Sequence, residues 1–179
     1  MRPPLTILSV SLHLRSYLLD SPRSATANMS SMETIFYGAS AMNPTRLVEG
    51  INKWGQIFYQ FFGQSECPMV ISNMTRKEHD LSKPERLSSC GRPSPWIHLS
   101  LRDPEGNEVP RGEPGEICIR GPLIMKGYKD MPEQTAEAFA GGWLHTGDVG
   151  KLDDDGFLYI VDRTKDMIVT GGFNVFPRE

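Results

Sequence analysis

The chain has 179 residues, of which 39% are hydrophobic and 23% are charged, and its formal net charge is −3. This composition is typical of a globular chain, which at this length forms one sizeable core or pieces of two domains, and it disfavours disorder. The slight negative charge, without a cluster of lysine and arginine, gives a nucleic-acid partner little electrostatic support, and no apolar stretch reaches transmembrane length.

The N-terminal segment is predicted to be an amphipathic helix. Apolar residues recur there at helical spacing, namely Ile7, Val10, Leu14 and Leu18. The pattern stops at residues 20–22, where the sequence Asp-Ser-Pro favours a helix end. A signal peptide is the weaker alternative, because His13 and Arg15 interrupt the apolar run.

A strand–helix–strand unit follows. Residues 32–37 ("METIFY") predict a strand, and Asn43-Pro44 predicts the cap and first turn of a helix that Gly55 closes. Residues 56–62 ("QIFYQFF") predict the next strand. Two strands joined by one helix should lie parallel with a right-handed crossover. The loops "GASA" and "GQSE", which follow these strands, are therefore expected to border one crevice.

From about residue 91 the pattern becomes richer in β-structure. Strands are predicted in "WIHLSLRD" and "GEICIRG", and a short helix at residues 132–139. Residues 149–162 predict a hairpin with Gly156 at its turn. We expect this half to form a small antiparallel barrel or sheet beside the strand–helix–strand layer.

The three cysteines indicate the redox environment. Cys67, Cys90 and Cys118 lie far apart and form no C-x-x-C pair, which disfavours a zinc site. A reducing compartment is therefore expected, and with it a cytoplasmic location. The sequence leaves the oligomeric state open.

The stretch "GQSEC", residues 63–67, has three interpretations. A polar turn at the end of a strand is the simplest. A serine nucleophile at Ser65, with His145 completing a triad, is weakened because Cys67 stands where the G-x-S-x-G pattern needs glycine. A carboxylate beside a hydroxyl, Glu66 beside Ser65, is also suited to magnesium and phosphate oxygens.

The stretch "GWLHTGDVG" carries a second candidate group. Gly147 permits a sharp turn, and Asp148 follows it just before a predicted strand. Such an aspartate is well placed to bind the vicinal hydroxyls of a sugar, although a plain turn aspartate is the commoner case. His145 has no partner at metal-ligand spacing and is expected to be positional.

Five segments together resemble the adenylate-forming acyl-CoA ligase family. They are "YGASAM", "FFGQSE", "GEICIRGPLIMKGY", "GGWLHTGD" and "DGFLYIVDRTKDMIVTGGFNVFPRE", in family order. The resemblance implies an enzyme that converts a carboxylic acid and ATP, with Mg²⁺, into an acyl-adenylate. The acyl group then passes to the thiol of coenzyme A. A fatty or aryl acid is implied.

The resemblance also implies roles for individual residues. Ser65 and Glu66 are the implied catalytic pair, Ser65 at the phosphate and Glu66 as the magnesium ligand. The implied nucleotide site consists of Gly38, Ala39, Phe62, Gly63, Gln64, Ser65, Asp148 and Arg163. Within it, Gly38 and Ala39 lie on the adenine side, Phe62 packs on the base, and Asp148 and Arg163 bind the ribose. Lys165 is the implied hinge, and the implied coenzyme A loop is Gly171, Gly172 and Phe173.

The implied fold is α/β. Residues 1–161 are expected to belong to a large AMP-binding domain, with a partial parallel sheet in 1–90 and a β-barrel-like subdomain in 91–161. Residues 162–179 are expected to hold the hinge and the start of a small C-terminal domain. The family's phosphate loop and its catalytic lysine have no match, and Trp96 replaces a usual glycine. The chain thus resembles an internal portion of a longer ligase or a truncated gene product, and a catalytically inactive fragment is the alternative.

Overall fold

A computed structural model gives the structure of residues 7–10, 19–26, 28–38, 42–163, 168–170 and 173–175. The strands are β1 Ile7–Val10, β2 Thr34–Tyr37, β3 Phe58–Gln64, β4 Cys67–Met74, β5 Arg92–Pro93, β6 His98–Arg102, β7 Gly115–Arg120, β8 Leu144–Leu152, β9 Leu158–Arg163, β10 Ile168–Thr170 and β11 Phe173–Val175. The α-helices are α1 Pro44–Trp54 and α2 Pro132–Ala138, and 3-10 turns lie at Pro22–Ala25, Arg76–Glu78, Pro84–Ser88 and Ala140–Gly142.

The first sheet has the strand order β1-β2-β3-β4-β5. Strands β1, β2 and β3 are parallel, whereas β4 and β5 are antiparallel to their neighbours. The predicted strand–helix–strand unit is therefore confirmed, with α1 connecting the parallel strands β2 and β3. This arrangement sends the chain after β2 and the chain after β3 towards the same edge of the sheet.

Helix α1 begins and ends where its sequence predicts. The side chain of Asn43 accepts a hydrogen bond from the Thr45 N–H at 2.9 Å, and Pro44 occupies the first turn. At the other end, the Gly55 N–H donates to the Ile51 carbonyl at 2.8 Å. The helix packs on the first of two cores, formed by Leu19, Ile35, Tyr37, Met42, Leu47, Ile51, Phe58 and Leu87.

The N-terminal prediction is wrong for residues 7–10. They form a strand, in register with β2 from Ile7 opposite Thr34 to Val10 opposite Tyr37. Residues 11–18 lie outside the described residues. Four residues with two β-branched side chains satisfy a strand as well as a helical pattern, and the ladder to β2 decides between them.

A hairpin joins β3 to β4. Its turn is formed by Ser65 and Glu66, so the stretch "GQSE" lies at the tip of two antiparallel strands. The ladder shifts between Phe62 and Gln64, and the backbones are so close that a Cβ on Gly63 would lie 2.3 Å from the Met69 nitrogen. Only glycine fits at this irregularity, which changes the direction of the hairpin tip.

The second sheet contains β6-β7-β8-β9, all antiparallel. The predicted small barrel or sheet is thus an open sheet within the described residues, and the hairpin of β8 and β9 is confirmed. Its core combines side chains from this sheet with Cys67 and Ile71 of β4, so the two sheets share a core. The remaining members are Ile97, Leu101, Ile117, Ile119, Leu144 and Leu158.

A buried histidine links the turn after β4 to β2. The Nδ1 of His79 lies 2.7 Å from the Thr75 carbonyl, and its Nε2 lies 2.8 Å from the Tyr37 hydroxyl. Because the carbonyl can only accept, Nδ1 carries the proton and Nε2 accepts from Tyr37. Burial lowers the pKa of His79 to about 4, so the ring is neutral at neutral pH.

Strands β10 and β11 form a separate antiparallel pair. The predicted domain division at residues 161 and 162 stays a prediction.

None of the helices within the described ranges is long and apolar enough to cross a membrane.

Candidate functional site

The tip of the β3–β4 hairpin contacts strand β8. The Gln64 Nε2 donates one hydrogen bond to the Thr146 carbonyl at 2.9 Å and another to Asp148 Oδ2 at 2.7 Å. Gln64 and Asp148 were predicted separately, from two motifs that lie 84 positions apart. The structure brings them together, because the first sheet delivers the hairpin tip to the second sheet.

Asp148 lies within β8, and this corrects its predicted position on a turn before the strand. Gly147 does have the expected left-handed backbone, with φ of 72°. The ladder to β9 is irregular just after Asp148, between Val149 and Gly150. The turn-like backbone is therefore a distortion inside a strand, and it leaves Asp148 only 6% exposed.

Asp148 also meets the second residue that was predicted to bind ribose. Asp148 and Arg163 are directly opposite in the ladder between β8 and β9. The Asp148 N–H donates to the Thr146 hydroxyl at 3.2 Å, which fixes the backbone before the carboxylate. The structure describes Arg163 by its backbone, so its predicted contact with the ribose stays a prediction.

Glu66 is held at the hairpin tip from a different direction. The Tyr128 hydroxyl donates to Glu66 Oε1 at 2.8 Å, and the Met125 N–H donates to the Glu66 carbonyl at 2.8 Å. The hydrogen bond to Glu66 raises the pKa of Tyr128. A carboxylate has about four acceptor sites, so one hydrogen bond orients Glu66 and leaves capacity for a cation. Tyr128 was not predicted from the sequence.

The serine-nucleophile interpretation finds no geometric support. Ser65 is exposed in the turn. His145 directs Nδ1 to Glu116 Oε2 at 2.7 Å and Nε2 to the Ala140 carbonyl at 3.2 Å. Both ring nitrogens thus face acceptors from β7 and from the segment after α2, and a general base needs one nitrogen on the nucleophile.

The remaining predicted residues differ in how far the structure describes them. Gly38 follows β2 and lies against β3, because a Cβ there would be 2.5 Å from the Phe61 carbonyl oxygen. Phe62 is partly buried and packs against the second core. Phe173 belongs to β11, described by its backbone. Ala39, Lys165, Gly171 and Gly172 lie outside the described residues.

The three thiols are protonated at neutral pH. Burial, followed by the charge of Asp148, raises the pKa of Cys90 to about 12. Burial and then the charge of Glu116 raise the pKa of Cys118 to about 12, and burial raises the pKa of Cys67. Thiolate nucleophiles are therefore absent from the described site, and its chemistry rests on carboxylates, amides and hydroxyls.

Glu116, Cys118 and His145 form a cluster that the sequence spacing did not reveal. Cys118 and His145 are directly opposite in the ladder between β7 and β8. Their separation along the chain depends on the long connection between these strands, so a search for ligand spacing cannot find them. Alternation within β7 was the available signal, since Glu116 and Cys118 are two residues apart on one strand.

Comparison with known proteins gives a consistent family. The family described as "AMP-binding enzyme" matches residues 4–129. A medium/long-chain-fatty-acid–CoA ligase from Mycobacterium tuberculosis is 56% identical over 162 residues, which cover 90% of this chain and 28% of that protein. A feruloyl-CoA synthase from an Amycolatopsis species is 39% identical over 158 residues, covering 88% of this chain and 31% of that protein.

Solved structures agree with these relatives. The amide bond synthetase McbA from Marinactinospora thermotolerans has a TM-score of 0.89 at 34% identity, covering 97% of this chain and 34% of that one. The O-succinylbenzoate coenzyme A synthetase from Bacillus subtilis, in complex with ATP and magnesium ion, has a TM-score of 0.82 at 29% identity, covering 98% and 35%. The chain spans about 30% of the length of the curated relatives that it matches.

Proposed function

The chain belongs to the AMP-binding enzyme family, and we propose that the protein containing it joins a carboxylic acid to coenzyme A through an acyl-adenylate. The observation that carries the proposal is the contact between Gln64 and Asp148, at 2.7 Å, beside the hairpin tip that bears Glu66. This contact brings residues of two predicted nucleotide-binding motifs next to each other. The sequence similarity of the chain to a fatty-acid–CoA ligase and to a feruloyl-CoA synthase supports the same reaction.

The proposed reaction has two steps. A carboxylate oxygen of the acid attacks the α-phosphorus of ATP, and the bond to the bridging oxygen breaks, so pyrophosphate leaves. The sulfur of coenzyme A then attacks the acyl carbonyl, AMP leaves with the former carboxylate oxygen, and the thiol proton passes to solvent. The first step concentrates negative charge around phosphorus, which explains why the site needs positioned donors and a cation.

Glu66 is the proposed ligand of the magnesium ion. Its donor type fits, because hard divalent cations take carboxylate oxygens, and the Tyr128 hydroxyl fixes the carboxylate from 2.8 Å. The bound ion would neutralise charge on the phosphate oxygens. The chain itself contributes a preset orientation of Glu66, and the Ser65 hydroxyl is proposed to donate to the phosphate from the same turn.

Asp148 is the proposed acceptor for the ribose hydroxyls. Its burial to 6% exposure and the hydrogen bond from Gln64 hold the carboxylate in one orientation. Carboxylate oxygens are hydrogen-bond acceptors, the type of group that the vicinal hydroxyls of a ribose need. Arg163 stands opposite Asp148 in the ladder and is proposed to complete this end of the nucleotide site.

The remaining proposed contacts follow from the resemblance. Gly38 and Ala39 are proposed to lie on the adenine side and Phe62 to pack on the base, and Gly63 is proposed to belong to the same nucleotide site. Lys165 is the proposed hinge between the two half-reactions, and Gly171, Gly172 and Phe173 form the proposed coenzyme A loop. A hinge rotation would let one nucleotide site serve both steps.

The proposed acid is a fatty or aryl acid, since relatives of both kinds match the chain. A cytoplasmic location is also proposed, because Cys67, Cys90 and Cys118 are all free and buried.

The Glu66→Gln variant tests this proposal. In the protein that contains the chain, we expect the variant to lower acid-dependent pyrophosphate release by roughly two to three orders of magnitude, as when a group that stabilises transition-state charge is lost. Glu133→Gln, an exposed carboxylate on α2, is the matched control and should leave the rate unchanged. Near-normal release by Glu66→Gln would contradict the magnesium role. A wild-type protein that forms no acyl-CoA from fatty or aryl acids would contradict the proposed reaction.

A further inference from the structure

Three side chains from two neighbouring strands bring different metal-binding atoms together. They are a carboxylate oxygen of Glu116, the Sγ of Cys118 and the Nδ1 of His145, all within 4.8 Å of one another. The Glu116 Oε2 lies 2.7 Å from His145 Nδ1, and the Cys118 Sγ lies 3.5 Å from the same nitrogen. The cluster belongs to the second sheet, and none of its members is assigned a role in the proposed ligase chemistry.

Two of the three separations can be compared with those around a tetrahedral ion. With metal–nitrogen and metal–oxygen bonds of about 2.0 Å and a metal–sulfur bond of about 2.3 Å, neighbouring donor atoms are about 3.3 to 3.6 Å apart. The separation of Cys118 Sγ and His145 Nδ1 already has this value. The gap between Glu116 Oε2 and Nδ1 would need to open by about half an ångström.

The groups behind two of the three donors are also arranged as they are in metal sites. His145 directs Nε2 to the Ala140 carbonyl at 3.2 Å, so Nε2 can keep its proton while Nδ1 gives its lone pair to a metal. Glu116 accepts the Gly147 N–H on Oε1 at 3.1 Å, so Oε2 is the oxygen that faces the cluster. Both contacts orient a donor atom towards the shared centre, as outer groups do around bound metals.

We propose that Glu116, Cys118 and His145 bind a zinc ion with three protein ligands, leaving a fourth position for water. Zinc is the indicated ion because sulfur, imidazole and carboxylate donors combined in a tetrahedron are its usual set. One thiolate, one carboxylate and a neutral imidazole also balance its two charges, which matters at a partly buried centre. The side chains of His145 and Glu116 are 28% and 21% exposed, so an ion can enter from solvent.

Binding changes the protonation of the cluster in a defined way. The S–H bond of Cys118 breaks, its proton goes to solvent, and the sulfur–zinc bond forms. Burial raises the pKa of this thiol to about 12 without a metal, so the ion must compete with a proton. The hydrogen bond between His145 and Glu116 is replaced by two bonds to zinc, and the proton that Nδ1 and Oε2 share also goes to solvent. Nε2 keeps its own proton and donates it to the Ala140 carbonyl.

The proposed ion would join β7 to β8 just before the segment 146–148. The Glu116 carboxylate already holds the Gly147 N–H, and the next residue is Asp148. Zinc bound here would therefore stiffen the backbone that carries the proposed ribose-binding carboxylate. This consequence depends on the proposed function, whereas the metal site itself does not.

Cobalt substitution tests the site without using activity. Protein without a histidine tag is titrated anaerobically with Co²⁺ and then with Zn²⁺. We expect one Co²⁺ per chain, with tetrahedral visible bands and a near-ultraviolet sulfur-to-cobalt charge-transfer band that Zn²⁺ removes. Cys118→Ser should abolish the charge-transfer band, and His145→Gln should weaken Zn²⁺ binding by more than about tenfold.

Two control variants define what would overturn the proposal. His98→Gln changes an exposed histidine outside the cluster, and Cys90→Ser removes a different buried thiol; both should retain the cobalt spectrum. The proposal fails if wild-type protein gives no charge-transfer band, or if the band survives in Cys118→Ser. Zn²⁺ should also raise the melting temperature of wild-type protein and of both controls. An equal rise in a folded His145→Gln variant would equally overturn the site.

Discussion

Replacing Gln64 by methionine removes the link between the hairpin tip and strand β8. Methionine has a similar length but cannot donate, so Gln64→Met deletes both the 2.9 Å bond to Thr146 and the 2.7 Å bond to Asp148. A hydrogen bond to a charged group contributes about 1.5–3 kcal/mol, and to a neutral one about 1 kcal/mol. Because Gln64 is partly buried, we use the lower part of this range.

The expected effect is on nucleotide binding. A loss of about 1.5–2 kcal/mol corresponds to a rise in KM for ATP of about 10- to 30-fold. The ribose is held alike in the ground and transition states, so kcat should change by less than about threefold. Both constants are measured from acid-dependent pyrophosphate release over a range of ATP concentrations. Gln56→Met is the matched control. It removes a similar hydrogen bond, from the Gln56 Nε2 to the His79 carbonyl at 3.2 Å, that does not involve Asp148, so KM for ATP should not change.

A double-mutant cycle separates positioning from a direct role. If Gln64 acts through Asp148, the KM of Gln64→Met with Asp148→Ala should nearly equal that of Asp148→Ala alone. Fully additive effects would show that the two residues act independently. An unchanged KM in folded Gln64→Met would refute the idea that this contact orients the carboxylate.

Two further predictions concern groups with shifted pKa values. Tyr128→Phe removes the donor to Glu66, so we expect the Mg²⁺ concentration for half-maximal pyrophosphate release to rise about tenfold or more, and an unchanged Mg²⁺ dependence would contradict the role of Tyr128. The pKa of His79 falls to about 4 in the folded chain, whereas an unfolded histidine has a pKa near 6.5. Below about pH 6.5 only the unfolded chain binds this proton, so the free energy of unfolding should decrease down to about pH 4, by up to about 3 kcal/mol in all. Urea unfolding between these pH values measures the loss, and an equally steep pH dependence in His79→Asn would count against it.

The strand–helix–strand unit was predictable because its signals are local. Asn43 and Pro44 begin a helix by chemistry that acts within one turn, and Gly55 ends it in the same way. Strand β4, Cys67–Met74, escaped prediction. Pro68 and the left-handed Met69, with φ of 59°, break the regular pattern, and antiparallel pairing with β3 and β5 compensates. The wrong prediction for Ile7–Val10 has the same origin, since a partner strand decided the structure of these residues.

The candidate site, too, was predictable from the sequence only where the signal is local. Glu66 and Asp148 could be predicted as site residues from short motifs, because each motif contains both the functional side chain and the residues that shape the backbone next to it. The contact of Gln64 with Asp148 depends on how two sheets pack, and the meeting of Cys118 with His145 depends on strand register. Neither is encoded in a short stretch of sequence, so both required the structure.

Titration of ATP against the Asp148→Ala variant tests the proposed nucleotide site most directly. The measurement is kcat and KM for ATP in acid-dependent pyrophosphate release by the protein that contains this chain. Loss of a carboxylate that holds the ribose uniformly should raise KM by about tenfold or more and leave kcat within about threefold of the wild-type value. A large fall in kcat with an unchanged KM for ATP would contradict the ribose-binding role of Asp148.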